Sequence, residues 1–178
     1  MQTFKKVLFA ILIFLFQVLI LDHLPLSYGV QINLFIYIIL CLIPFNINKT
    51  SLIFIAFLIG LLRDLFTFTY GLYAFGAIAI IFIQHYYFLL PQYNKFKKID
   101  TSLYANSNLL GWRSFLIYIT IFSTIFTFLV NIINYLSSWM HIRFFFIIEE
   151  IVFTIIFICI AELIRSWLFH KEEKEKFV

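Results

Sequence analysis

The stretch that decides the fold is residues 60–76, which read GLLRDLFTFTYGLYAFG. Arg63 and Asp64 interrupt a segment that is otherwise apolar enough for a membrane interior, where an ionisable residue costs roughly 2.5 kcal/mol or more. On a helix, Gly60 lies one turn before Asp64 on the same face, so another backbone can come close to the carboxylate. Arg63 points about 100° away from Asp64, and we expect the two to find partners on other helices.

Two interpretations of this charged pair remain open. A turn is predicted soon afterwards, at 67–71, so Arg63 and Asp64 could end a helix at the lipid interface. In the other interpretation they are buried and fix the packing of neighbouring helices. The residues predicted to serve helix packing or partner contact are Gly60, Arg63, Asp64, Gly71 and Gly76.

The composition around this stretch indicates an integral membrane protein. Hydrophobic residues make up 63% of the 178 residues and charged residues only 12%, whereas soluble domains are about 25% charged and about half apolar at most. No water-soluble core of this size could bury 25 phenylalanines among so many other apolar residues. We expect an all-α protein surrounded by the lipid bilayer. Nucleic acid is not expected as a partner, because the net charge of +4 comes from loops.

Six apolar runs predict six transmembrane helices in a single polytopic domain, residues 1–178. The basic start could belong to a signal peptide, but no small-x-small cleavage site follows, which favours a retained first helix. The second and third runs would be only about 24 Å long as helices, against a hydrocarbon core of roughly 30 Å. A re-entrant hairpin, and hence five spans, is therefore the alternative. The predicted spans are 7–24, 30–45, 51–66, 71–90, 114–136 and 144–169.

The distribution of basic residues predicts the orientation. With six helices and a cytoplasmic N-terminus, only Arg63 and Arg143 of the 13 Lys and Arg residues fall outside the cytoplasm. This is the positive-inside pattern of membrane proteins. It favours six spans, because merging the two short runs would place the loop around Lys95 outside. Both termini are then cytoplasmic.

Polar residues near the ends of these runs have simple local interpretations. Asp22 follows the first run and is predicted to be interfacial. Thr50 or Ser51 is a plausible N-cap for the third helix. Glu162 and Arg165 are three residues apart, so they could pair on the surface of the sixth helix.

The fifth run carries hydroxyl and amide side chains at three- and four-residue spacing, which form one polar stripe on an apolar helix. An unpaired amide in hydrocarbon is unfavourable, so this stripe should face protein or water. Packing within the protein, with Ser and Thr bonding to their own backbone, is favoured over a solute path, which stays open. The stripe comprises Thr120, Ser123 or Thr124, Thr127, Asn131 and Asn134.

Patterns typical of enzymes do not occur in the chain. It has no Gly-rich phosphate loop, no Gly-x-Ser-x-Gly and no His-Glu-x-x-His. Glu149 and Glu150 match the start of the Glu-Glu-x-x-x-Arg pattern of some intramembrane proteases, but Thr154 stands where the arginine would be. We predict no catalysis, no cofactor and no metal site. Two classes remain: a scaffold whose polar positions serve packing, and a solute-binding transport subunit whose stripe lines a cavity.

The centre of the chain resembles the rod shape-determining MreD family of bacterial membrane proteins. Members carry a proline closing the second span, then Gly-x-x-x-Asp, then a glycine about seven residues after the aspartate. This chain has Pro44, then the residues 60–64, then Gly71. The first helix and the last two match only in length and hydropathy, and Arg63 is not part of the family pattern.

This resemblance implies a non-enzymatic scaffold of the cell-elongation machinery in the cytoplasmic (inner) membrane, involved in rod-shape maintenance and lateral peptidoglycan synthesis. The partners it implies are an MreC-like single-span membrane protein, the synthases RodA and the elongation penicillin-binding protein, and MreB filaments. The family is similar in fold to the substrate-binding subunits of energy-coupling-factor vitamin transporters. That similarity implies the alternative of a substrate-binding membrane subunit of a small-molecule (vitamin) transporter.

Overall fold

In the computed structural model, the described residues are 2–24, 30–43, 48–88, 105–138 and 144–174, and every regular element among them is a helix. Three helical segments, Phe4–His23, Lys49–Thr67 and Trp112–Leu136, are long and apolar enough to cross a membrane. The prediction of an all-α protein with membrane-spanning helices is confirmed at this level. The count of six spans stays a prediction.

The helices differ modestly in their ends from the predicted spans. A 3₁₀ turn, Leu21–His23, follows the first helix, and a π-helical turn, Ile38–Leu42, continues the second. Asn48 occupies the N-cap of the third helix, so the predicted cap at Thr50 or Ser51 is wrong. The helices are α1 Gln2–Leu19, α2 Phe35–Tyr37, α3 Lys49–Thr67, α4 Leu72–Tyr87, α5 Ser107–Leu110, α6 Trp112–Ser138 and α7 Phe144–Lys174. Pro44, Lys95, Arg143 and positions 89–90 of the fourth predicted span lie outside the described residues.

The second predicted span, 30–45, is not one continuous helix in the structure. Residues 30–33 have no helical structure, and α2 with its π-helical turn covers only 35–42. Eight helical residues rise about 12 Å, less than half of a hydrocarbon core. This segment is nevertheless buried from 32 to 41, because its isoleucines, leucines and aromatics are apolar on every side and can pack against surrounding helices. It forms the centre of the core.

The backbones of α3 and α4 approach each other closely at Gly60. A Cβ added to Gly60 would lie 2.6 Å from the Cα of Ala74 and 2.7 Å from the carbonyl oxygen of Tyr73. Only glycine lets the two backbones come this near. Gly76 faces a different neighbour, since its added Cβ would lie 2.6 Å from the ring of Phe126 on α6.

Replacing Gly60 with alanine should therefore destabilise the protein more than replacing Gly76 with alanine. At Gly60 the new methyl group meets backbone atoms, so α3 and α4 must separate, and overpacking of this kind costs about 1–3 kcal/mol. At Gly76 the methyl group meets an aromatic side chain, which can move. Reversible unfolding from mild detergent into SDS, followed by circular dichroism, measures both. Equal losses in the two variants would contradict the backbone contact.

Candidate functional site: two buried polar clusters and a capped helix joint

Asp64 caps the N-terminus of α4 from the neighbouring helix. Its carboxylate accepts hydrogen bonds from the backbone N–H groups of Tyr73 (3.0 Å) and Ala74 (2.8 Å), and from the hydroxyl of Thr69 (2.7 Å). The first N–H groups of a helix lack partners inside the helix, and the helix dipole favours a negative charge at that end. Asp64 is only 6% exposed, and these donors explain how its carboxylate is accommodated there.

The turn between α3 and α4 brings the start of α4 opposite this carboxylate. Phe68 ends α3 in the left-handed conformation (φ +54°), and its N–H bonds to the carbonyl oxygen of Asp64. Gly71 precedes α4 with φ +85°, a conformation that costs glycine little. Two left-handed residues within four positions reverse the chain, so α4 packs back along α3.

Arg63 is completely buried and bonds to groups outside its own helix. Its Nη2 donates to the carboxylate of Asp22 at 3.0 Å, and Nη1 donates to the side-chain oxygen of Asn33. Nη2 also lies 3.3 Å from the carbonyl oxygen of Ile32. The side chain of Asp22 is only 10% exposed, and its location at the membrane interface stays a prediction. A buried arginine requires such a counter-charge and hydrogen bonds to offset its desolvation.

Two aromatic rings flank the Arg63 guanidinium. Its central carbon lies 4.0 Å from the ring centroid of Tyr73 and 4.7 Å from that of Phe35. A planar guanidinium can stack on rings while its edge donates hydrogen bonds, which the ammonium of lysine cannot do. Arg63 and Asp64 therefore have different partners. The Arg63 guanidinium contacts Asp22, the segment around Asn33 and two aromatic rings, whereas Asp64 accepts hydrogen bonds from the backbone of α4. Both side chains are buried inside the protein.

The non-helical segment 31–34 has its backbone polar groups satisfied by side chains from distant helices. Water cannot do this in a membrane interior, so the protein must supply the partners. The bonds run from Gln31 N to Glu150 Oε1 (3.1 Å), Asn33 N to Thr154 Oγ1 (3.0 Å), Leu34 N to Gln17 Oε1 (2.8 Å) and Gln17 Nε2 to Ile32 O (2.7 Å). Side chains of α1 and α7 thus replace the hydrogen bonds that a helix would provide.

These contacts extend into one continuous polar group. The hydroxyl of Tyr73 donates to the side chain of Gln31, and Asn131 donates to Glu150 at 2.9 Å. Gln17 also donates to Asp22. We call this group the Arg63 cluster, and it consists of Gln17, Asp22, Gln31, Asn33, Arg63, Tyr73, Asn131, Glu150 and Thr154.

A second cluster surrounds Glu162, further along α7. Arg165 donates to both carboxylate oxygens of Glu162 (2.8 and 2.9 Å), Tyr37 donates its hydroxyl (2.7 Å), and Ser107 donates its backbone N–H (2.7 Å). The predicted pairing of Glu162 with Arg165 along α7 is confirmed, and other elements of the protein cover the pair. Glu162 is 0% and Arg165 3% exposed, because α2 and α5 cover them. These four residues are the Glu162 cluster.

The predicted polar stripe runs along the border between the buried and exposed sides of α6. Thr120, Thr124 and Asn134 are exposed, Ser123 and Thr127 are buried, and Asn131 is half-buried. The exposed Thr124 hydroxyl donates to the carbonyl oxygen of Thr120 (2.7 Å), and Asn131 donates to that of Thr127 (2.9 Å). Asn131 reaches into the Arg63 cluster through Glu150.

The part of the chain that the structure describes contains neither a metal-binding group of side chains nor a disulfide. No three His, Cys, Asp or Glu side chains come together there to hold a metal ion. Cys41 and Cys159 are both free. The carboxylates of Asp64 and Glu162 are directed at protein donors, so the arrangement can hold helices together.

Sequence reasoning missed several members of the Arg63 cluster. Gln17 stood out as the lone polar residue of the first run, and a lone amide in hydrocarbon signals a partner. Gln31 and Asn33 alternate with apolar residues, a period of two that is typical of an extended segment. That pattern is the available signal that this run does not begin as a helix.

Comparison with known proteins adds no relative to this picture. No family model matches the chain, and no curated protein or solved structure matches it significantly. The proposed function therefore rests on the contact between α3 and α4 and on the two buried clusters.

Proposed function

We propose that the protein is a non-enzymatic membrane scaffold of the bacterial cell-elongation machinery, as its resemblance to the MreD family implies. The main support is the structural role of three residues that carry this resemblance. Gly60 allows the contact of α3 with α4, Asp64 caps α4, and Gly71 begins α4 in a left-handed conformation. These three residues together build the contact between α3 and α4, and such a role is suited to scaffolding.

The use of the buried carboxylates supports a scaffold over an enzyme. Asp64 and Glu162 each accept hydrogen bonds from several protein donors. Catalytic acids and bases must instead reach a substrate atom, within about 3 Å or through one water. Glu150 accepts from Gln31 and Asn131, so it too is held by neighbouring protein groups.

The arrangement of the clusters supports the alternating helix directions that the proposed topology of six spans requires. The end of α1, the end of α3 and the start of α4 meet in the Arg63 cluster, together with the end of α6 and the start of α7. These ends can meet only if α1 and α3 run one way and α4 and α7 the other. Residues 33–37 run from the Arg63 cluster towards the Glu162 cluster, opposite to α1, which is the direction that a second span would need, although the helix 35–42 is itself too short to cross a bilayer.

The partner surface proposed here consists of helix faces within the membrane. The outward side of α3 presents an apolar row at helical spacing. Its exposed members are Phe54, Leu58, Leu62 and Leu65. Lipid chains or the transmembrane segment of an MreC-like single-span protein fit such a face, with RodA, the elongation penicillin-binding protein and MreB filaments as further members of the assembly.

The test is a pull-down of the tagged protein from its native membrane in mild detergent, followed by mass spectrometry. We expect enrichment of an MreC-like single-span protein or of the elongation synthases over a tagged, unrelated polytopic membrane protein as control. Absence of all these proteins, with the bait intact and monodisperse, would refute the proposal.

The alternative is the substrate-binding subunit of a vitamin transporter. One observation favours it: the Thr127 hydroxyl is buried without a hydrogen-bond partner in the described part of the chain, as a group lining a solute cavity would be. In that case the same pull-down should recover a pair of ATPases with a shared membrane coupling subunit.

A further inference from the structure

The short segment 33–37 is bonded to α7 at two levels. The N–H of Asn33 donates to the hydroxyl of Thr154 (3.0 Å), and the hydroxyl of Tyr37 donates to Glu162 (2.7 Å). Thr154 and Glu162 are eight residues apart on one helix, which corresponds to a rise of about 12 Å. Residues 33–37 therefore connect the Arg63 cluster directly to the Glu162 cluster.

The residues between these two attachment points are packed on every side. Phe35, Ile36 and Tyr37 are 0% exposed. The ring of Phe35 also contacts the Arg63 guanidinium at 4.7 Å and the ring of Phe126 at 5.4 Å between centroids. Close-packed interiors have low compressibility and transmit strain. We therefore expect a movement of Asn33 to displace Tyr37 as well.

At the Glu162 cluster, residues 33–37 are connected to α5. The same Glu162 carboxylate that accepts from Tyr37 also accepts from the backbone N–H of Ser107, the first residue of α5 (2.7 Å). Any shift of Tyr37 that turns this carboxylate also changes the anchoring of α5. The path has four members: Thr154, Asn33, Tyr37 and Glu162.

We propose that residues 33–37 couple the two ends of the bundle, so that a change in the Arg63 cluster alters how firmly α5 is held, and the reverse. This goes beyond the scaffold function and holds whichever partner the protein binds. Coupling between two sites is reciprocal by thermodynamic necessity. Both directions can therefore be tested, which separates coupling from general loosening.

The forward test replaces Thr154 with valine, which keeps the shape and removes the acceptor of the Asn33 N–H. The full chain in lipid nanodiscs is compared with wild type by hydrogen–deuterium exchange and mass spectrometry. We expect amides of 107–110 to exchange about fivefold faster or more, while amides in the middle of α3 keep their wild-type rates. Thr127→Val is the matched control, because Thr127 is equally buried but its hydroxyl makes no hydrogen bond in the described chain.

The reverse test replaces Tyr37 with phenylalanine, which removes only the hydroxyl donated to Glu162. Exchange should then rise in amides 31–34, and this variant carries the test if Thr154→Val does not fold. The proposal is overturned if Thr154→Val speeds exchange at 31–34 and leaves 107–110 unchanged. It is also overturned if Thr127→Val has the same effect as Thr154→Val, since the response would then be unspecific.

Discussion

Replacing Arg63 with methionine is expected to lower the free energy of unfolding by about 3–5 kcal/mol. Methionine has a similar length and can fill the space between the rings of Phe35 and Tyr73. Stability is lost because Asp22 keeps a largely buried carboxylate that no longer has a counter-charge. Unfolding from mild detergent into SDS, followed by circular dichroism, measures this loss.

Two further variants identify the source of the Arg63 effect. Arg63→Met combined with Asp22→Asn removes both charges, so the double variant should be more stable than Arg63→Met alone. In a double-mutant cycle, the part of the change in unfolding free energy that is not additive reports the interaction between the two side chains. Arg113→Met is the control, because Arg113 is exposed at the start of α6 and its loss should change stability by about 0.5 kcal/mol at most. A wild-type stability for Arg63→Met would refute the role of the ion pair.

Replacing Asp64 with alanine should have an effect of similar size, about 3 kcal/mol or more. The backbone N–H groups of Tyr73 and Ala74 and the hydroxyl of Thr69 would lose their acceptor. Leaving one buried donor unsatisfied costs roughly 1–3 kcal/mol. Asp64→Asn should lie between alanine and wild type, because the amide keeps one oxygen but no charge for the helix dipole.

The local signature of the Asp64 effect is faster amide exchange in the first turn of α4. Glu149→Ala is a suitable control, since Glu149 is also an acidic residue near a helix start. It is half-buried, and no hydrogen bond or ion pair of its side chain occurs among the described residues. Comparable losses for Asp64→Ala and Glu149→Ala would show that capping of α4 is not the cause.

Part of this architecture could be predicted because it depends on residues close together in the chain. The spacing of Gly60 and Asp64 on one helix face predicts a close backbone approach beside a carboxylate, and both residues do contact the start of α4. The 100° separation of Arg63 from Asp64 predicts different partners, which the structure shows to be Asp22 and Asn33 for the arginine. The identities of those partners could not be predicted, since they depend on chain segments 30 and 41 residues away.

The sequence by itself determined that this is an all-α protein with membrane-spanning helices, because so apolar a chain can satisfy its backbone in lipid only through internal hydrogen bonds. Only the tertiary structure decided that residues 30–33 leave the helical conformation. Hydropathy measures how apolar a window is, but an amide in that window can equally be satisfied by a side chain far along the sequence. Gln31 bonds to Glu150 across 119 residues, and Asn33 bonds to Thr154 across 121. No local pattern contains these contacts, because they exist only once α1, α3 and α7 have packed around the segment.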